Sequence, residues 1–182
     1  MSATHKIHRK RWAVLLSAGL LLCGLAGTAA ADELPDYQIF GSRVSGWDRF
    51  GYDVYATNGQ LMVSSPYDYH DSNAQAGTVY YYEPNMVTGQ YEQQALVWTN
   101  SPGWADKFGI ADAVSFDGDL ALIGAQERDP CGLSKAGAAY VFQRGLGGAN
   151  NWAEVGELIA SDACQDARFG GATDISGDTG VG

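Results

Sequence analysis

Arg49-Phe50-Gly51, Lys107-Phe108-Gly109 and Arg168-Phe169-Gly170 decide the fold of this chain. The three phenylalanines stand at intervals of 58 and 61 residues. Self-similarity at a fixed period of that length is the signature of a repeat architecture. A single unit of such an array cannot bury its own apolar face, so its core has to be made with its neighbours. The repeats start near residues 48, 106 and 167.

The flanks of the motif share a further pattern. Tyr52 to Thr57, Asn58-Gly59 and Gln60 to Pro66 follow the first Phe-Gly; Ile110 to Phe116, Asp117-Gly118 and Asp119 to Ala125 follow the second. Each reads as strand, two-residue turn, strand, because a type I′ turn needs positive φ at both central positions and Asn-Gly or Asp-Gly supplies it. A third apolar run, Gly77 to Glu83, is matched by Gly137 to Gln143, and a fourth, Glu92 to Trp98, by Glu154 to Ala160. Each repeat is therefore expected to be a four-stranded antiparallel meander, strands A to D, with no helix of useful length. Four short strands per repeat make the blade of a β-propeller. The fold class expected is all-β: an incomplete propeller of one orphan outer strand, two full blades and the start of a third.

These residues resemble the FG-GAP repeats of integrin α-subunit propellers and of bacterial secreted proteins. The family pattern is Phe-Gly, a hairpin, Gly-Ala-Pro, then a Gly-x-x-Tyr-Val-Phe strand. Gly124-Ala125 keeps the second element but continues with Gln126, the first repeat has Ser64-Ser65-Pro66, and Gly137-Ala138-Ala139-Tyr140-Val141-Phe142 matches the third closely. The resemblance covers roughly residues 37 to 182. Phe50, Phe108 and Phe169 are expected to be wedges between blades, and Gly51, Gly109, Gly124, Ala125 and Gly170 to serve close backbone approach and unusual φ. They are structural residues.

Tyr37-Gln38-Ile39-Phe40 lies as far ahead of Phe50 as the D strands lie ahead of Phe108 and Phe169, and reads as the orphan D strand. The third repeat reaches only Gly177 to Gly182. Since closed propellers need about four to eight blades, the expectation is a truncated piece of a longer protein. The rival is a short product that assembles with others, whose open strand edges would invite aggregation.

Residues 1–31 have the parts of a secretory signal peptide: Lys6, Arg9, Lys10 and Arg11, an apolar run from Trp12 to Leu25, and Ala29-Ala30-Ala31 before Asp32. The expected location is secreted, periplasmic or at the cell surface, with residues 32–182 forming the propeller fragment and no membrane insertion once the signal is gone. Removal of the signal leaves 7 basic against 21 acidic residues, a net charge of −14. That argues against nucleic acid and anionic membranes, which call for basic patches. Cys131 and Cys164 remain, on the B–C loop of the second blade and on the connector out of it. In an exporting compartment they are expected to pair, the loops sharing one face; free thiols, or partners elsewhere, are the alternative.

Catalytic chemistry finds little support: acidic residues are plentiful enough for a carboxylate pair, but spacing singles none out. His70 is the one histidine after the signal, no Gly-x-Ser-x-Gly elbow occurs, and no zinc spacing is present. The resemblance would imply calcium in an Asp-rich loop between strands A and B, but here that loop shrinks to Asn58-Gly59 and to Asp117-Gly118-Asp119, too few oxygens for the ion. The expectation is no cofactor, with a cation in the loop Asp68 to Asn73 as the alternative. The longer B–C loops, residues 66–76 and 125–136, and the D–A connectors, residues 99–105 and 161–167, share the opposite face. They carry Tyr67, Tyr69, His70, Trp104, Arg128 and Lys135, with His70 expected to be solvated. Loops on a rigid scaffold commonly carry recognition, so the function expected is binding or scaffolding of a protein or glycan partner. The alternative is an accessory propeller of an extracellular hydrolase whose catalytic part lies outside this chain.

Overall fold

The computed structural model describes residues 38–181, apart from 71, 147 and 178. The signal-peptide reading and Tyr37 lie outside the described residues. Two four-stranded antiparallel sheets and a two-stranded hairpin follow one another along the chain. The first sheet is β1 (Val54–Thr57), β2 (Gln60–Ser65), β3 (Thr78–Pro84) and β4 (Tyr91–Val97), paired in that order. The second is β5 (Val114–Asp117), β6 (Leu120–Ala125), β7 (Ala138–Arg144) and β8 (Trp152–Leu158), again in order. The hairpin is β9 (Asp174–Ser176) with β10 (Thr179–Val181). A 3₁₀ turn over Pro130–Gly132 is the one helical element among the described residues. These are the two blades and the opening hairpin of a third, and β1 packs on β5 as β5 packs on β9. Gln38, Ile39 and Phe40 carry no strand, so the orphan D strand is not formed over its described residues.

Each blade bends in the same place. The outer strand carries one extra residue opposite Tyr81/Tyr82 in the first blade and opposite Val141/Phe142 in the second. Such bulges raise local twist, which suits the outer edge of a radial sheet. The inner turns differ from one another. Asn58-Gly59 has φ of 48° and 80°, as a type I′ turn requires. In the second blade Asp117 pairs with Leu120, so the turn is Gly118-Asp119 and not Asp117-Gly118. Only Gly118 has positive φ there, the pattern of a type II′ turn with glycine first.

The core lies between blades. On β3, Val79 and Tyr81 face the second blade and join Met62 and Val97 against Phe108, Val114, Phe116, Ile123, Tyr140, Phe142 and Trp152. Tyr80 and Tyr82 point the other way, where Phe50 packs edge-on at centroid distances of 5.2 and 6.5 Å. The second blade repeats the alternation: Ala139 and Val141 turn to Leu122, Ile175 and Phe169. Period-two strands with both faces covered are what a blade between two neighbours demands. Below this core Arg144 clasps the blades together, donating to Tyr81 Oη, pairing with Glu83 at 2.8 Å and with Asp119 at 3.0 Å. The Tyr81 hydroxyl, with help from Gln60 and Arg144, holds the Glu83 carboxyl below the usual carboxylate range.

The Phe-Gly pair is the hinge between blades, which explains its recurrence. Phe108 N donates to Ala76 O of the preceding blade at 2.9 Å, while Gly109 N donates to Gly124 O of its own blade at 2.8 Å. Phe169 N repeats the first bond to Ala136 O at 2.9 Å. The rings then fold onto the blade that they open, Phe108 lying 5.8 and 5.6 Å from Tyr140 and Phe142. Phe108 is fully buried and Phe50 and Phe169 are half-buried. Ala125 is buried in the shared core, and Gly124 lies so close to the next repeat that a Cβ would come within 1.9 Å of Gly170 O.

Candidate functional site

The hinge also fixes the loops above it. In the first blade Ala105 N and Lys107 N donate to Ala74 O and Gln75 O, both at 2.9 Å. In the second, Asp166 N and Arg168 N donate to Ser134 O and Lys135 O at 2.9 and 3.0 Å. Each B–C loop is thereby laced to the connector that leaves its blade, with the same register in both repeats. Arg49, Lys107 and Arg168, which precede the three Phe-Gly pairs, all adopt left-handed φ, 57°, 52° and 55°. Buried Asp48 and Asp106 organise the turns ahead of them, Asp106 Oδ2 accepting from Gly103 N at 2.7 Å. Burial pushes the Asp106 carboxyl up, against the pull of Arg128 nearby.

The candidate residues separate into exposed and structural ones. Tyr69 and Trp104 are open to solvent, 54% and 74% exposed. His70 is not solvated as the sequence suggested: it is buried and its ring lies 4.5 Å from that of Trp98. Its backbone pairs with Asn73, closing the loop tip. Arg128 is committed to a polar network, 3.6 Å from Asp106 and 3.7 Å from Glu157, with the Tyr140 hydroxyl donating to Glu157 at 3.1 Å. Lys135 reaches Glu127 at 3.8 Å. Cys131 and Cys164 are both exposed free thiols, and the bridge expected between them is not present in the structure. Their loops are nonetheless the laced pair just described. In the first blade the repeat-equivalent loops carry an added tie, Asn73 Nδ2 donating to Pro102 O at 2.9 Å.

A concavity opens on this face, between residues 45–49 and the first B–C loop. It is a cleft of about 400 Å³ lined by Ser45, Trp47, Asp48, Arg49, Tyr67, Tyr69, Ala74 and Gln75. The connector is pinned beside it, since Tyr67 N and Ser65 Oγ both donate to Asp48 O, at 3.3 and 2.9 Å. Arg43 donates to Tyr69 O at 3.1 Å from the rim. Arg49 lies over the Tyr67 ring, 4.2 Å from its centroid, and donates to its hydroxyl at 3.3 Å. Lys107 flanks the same ring at 5.4 Å. Trp47 stands free at 89% exposure. Sequence reasoning found Tyr67 and Tyr69 but passed over Trp47 and Arg49. The signal available was the basic residue before every Phe-Gly. Among the described residues no group of three or more His, Cys, Asp or Glu converges as a metal site would.

A family model described as FG-GAP repeat matches residues 92–142. The matched segment begins at the outer strand of the first blade and ends in β7, so the sequence unit is offset from the blade and spans the hinge at Phe108-Gly109. No curated protein matches the chain.

Proposed function

We propose that this FG-GAP repeat protein is an exported binding or scaffold module that engages a protein or glycan partner through its B–C loops and D–A connectors. The observation that carries the reading is the lacing of those loops to one another in the same register in both blades. A face fixed by backbone hydrogen bonds presents its side chains with little ordering cost on binding, which favours recognition. Exposed aromatics on that face, Trp47, Tyr69 and Trp104, supply the large amphipathic contacts that dominate interface energetics. In this reading the chain works without catalysis, cofactor, nucleic acid or membrane insertion. Cys131 and Cys164 close a bridge after export, taking the place of the Asn73–Pro102 tie of the first blade. The test is titration of the fluorescently labelled full chain onto intact cells that produce it. Saturable attachment, severalfold weaker in a Tyr69→Ser/Trp104→Ser double variant of unchanged melting temperature, is expected. Attachment that does not saturate, or that ignores the double variant, overturns the reading.

A further inference from the structure

We infer that the cleft between residues 45–49 and the first B–C loop binds a carboxylate-bearing saccharide, a uronic acid unit, with Arg49 taking the carboxylate and Trp47 the sugar face. The inference rests on the binding reading above and names the ligand class for one part of that face. Its basis is a difference between two repeat-equivalent positions. Glu127 and Tyr67 occupy the same place, two residues past the end of β6 and of β2. In the second blade the Glu127 carboxylate pairs with Lys107 at 3.0 Å and with Lys135 at 3.8 Å. In the first blade Tyr67 stands there and brings an aromatic ring in place of a charge.

The cation is kept while its anion is lost. Arg49, the repeat equivalent of Lys107, has no carboxylate within ion-pair distance among the described residues; its contacts are the Tyr67 ring and hydroxyl. The Tyr67 ring and hydroxyl anchor the guanidinium through Nη1, and its other N–H donors suit a planar, two-pronged carboxylate. Arg43 adds positive charge at the margin of the same cleft, while Lys107 is already paired with Glu127 and the buried Asp48 carboxylate of the lining is engaged by Ser45 N. A guanidinium with no carboxylate partner among the described residues, set in the wall of a cleft, favours an anionic ligand by charge complementarity. The rest of the lining selects for a sugar. The flat, exposed indole of Trp47 can carry the C–H face of a pyranose ring, and the hydroxyl-rich edge of the sugar would meet Ser45, Gln75 and Tyr69. The volume, about 400 Å³, lies within the range of small-ligand sites.

The test is calorimetric titration of the full chain with trigalacturonate and, in parallel, with the neutral maltotriose. Saturable binding of the uronate, weakened by added salt, is expected, with affinity falling about tenfold or more in Trp47→Ala and in Arg49→Gln, as for hot-spot contacts. Tyr67→Glu is the sharper variant: it restores the internal carboxylate of the second blade, keeps the fold by repeat analogy, and should abolish uronate binding. Equal binding of maltotriose, or uronate binding that survives Arg49→Gln and Tyr67→Glu, overturns the ligand class. If Trp47→Ala still weakens attachment to cells in that case, the binding face stands and only the class has failed. If neither sugar binds, and attachment to cells ignores Trp47→Ala and the Tyr69→Ser/Trp104→Ser variant alike, both readings fall.

Discussion

At the scale of single residues the demands of this fold fall on backbone atoms. Gly77 has φ of 92°, and a Cβ there would lie 2.4 Å from Phe108 O and 2.6 Å from Phe108 N. Gly137 repeats both features against Phe169. The hinge bonds, Phe108 N to Ala76 O and Phe169 N to Ala136 O, bring the next repeat so close that no side chain fits. Gly59 offers the contrast: its φ is 80°, yet nothing lies within 4 Å of a Cβ placed there. Gly59→Ala should therefore cost about 1–2 kcal/mol, the penalty of a left-handed Cβ alone. Gly77→Ala adds a clash with backbone that cannot step aside, and the total should reach about 3 kcal/mol or more. Urea unfolding of the two variants checks this, and equal midpoints would show that the hinge tolerates separation. The Phe-Gly pairs were legible in the sequence because two residues recur together. Gly77 and Gly137 were visible as strand openers, but their partner across the hinge was not, since close approach is a property of two segments remote in sequence.

At the scale of elements, strand order and blade boundaries were readable from spacing, and two details were not. The second inner turn slipped by one residue, to Gly118-Asp119, because Asp-Gly fits type I′ while Gly-Asp fits type II′ and the register Asp117 to Leu120 chose the latter. The faces of β3 were hidden because Val79, Tyr80, Tyr81 and Tyr82 are all apolar and all buried, which erases the alternation that identifies a face. The loop lacing was invisible for another reason: it uses backbone groups, which carry no sequence signature. That lacing bears on the cysteines. The segments around Cys131 and Cys164 are joined by Asp166 N to Ser134 O and Arg168 N to Lys135 O, so the thiols start from neighbouring stretches of chain. Peptide mapping of the protein isolated from its producing cells without reductant should recover Cys131 and Cys164 in one cross-linked fragment. Reduction should then lower stability by about 3–4 kcal/mol, the chain-entropy value for a loop of this length. Complete labelling of both cysteines under denaturing, non-reducing conditions would rule the bridge out.

At the scale of the molecule, stability belongs to the interfaces between blades. The largest apolar cluster takes Met62, Val79, Tyr81 and Val97 from one sheet and most of its remaining members from the other. Neither sheet holds these side chains out of water by itself, as repeat stacking requires. Phe116 sits at the centre of that interface: it is fully buried and meets Tyr55 at 5.6 Å, Tyr81 at 6.1 Å and Trp152 at 6.3 Å. Two of those rings belong to the preceding blade. Removing the Phe116 ring should cost about 3–5 kcal/mol, the range for a buried aromatic truncated to alanine. The loss should also be shared, because the cavity opens on both sheets at once. Hydrogen exchange of Phe116→Ala, with the milder Phe116→Leu if the first does not fold, should show protection falling together in β1–β4 and β5–β8. Phe50, half-buried against Tyr80 and Tyr82 on the far side of β3, gives the control: Phe50→Ala should lower protection in β1–β4 more than in β5–β8. If Phe116→Ala loosens only its own sheet, the blades fold as independent units, and the shared cluster contributes contact without cooperativity.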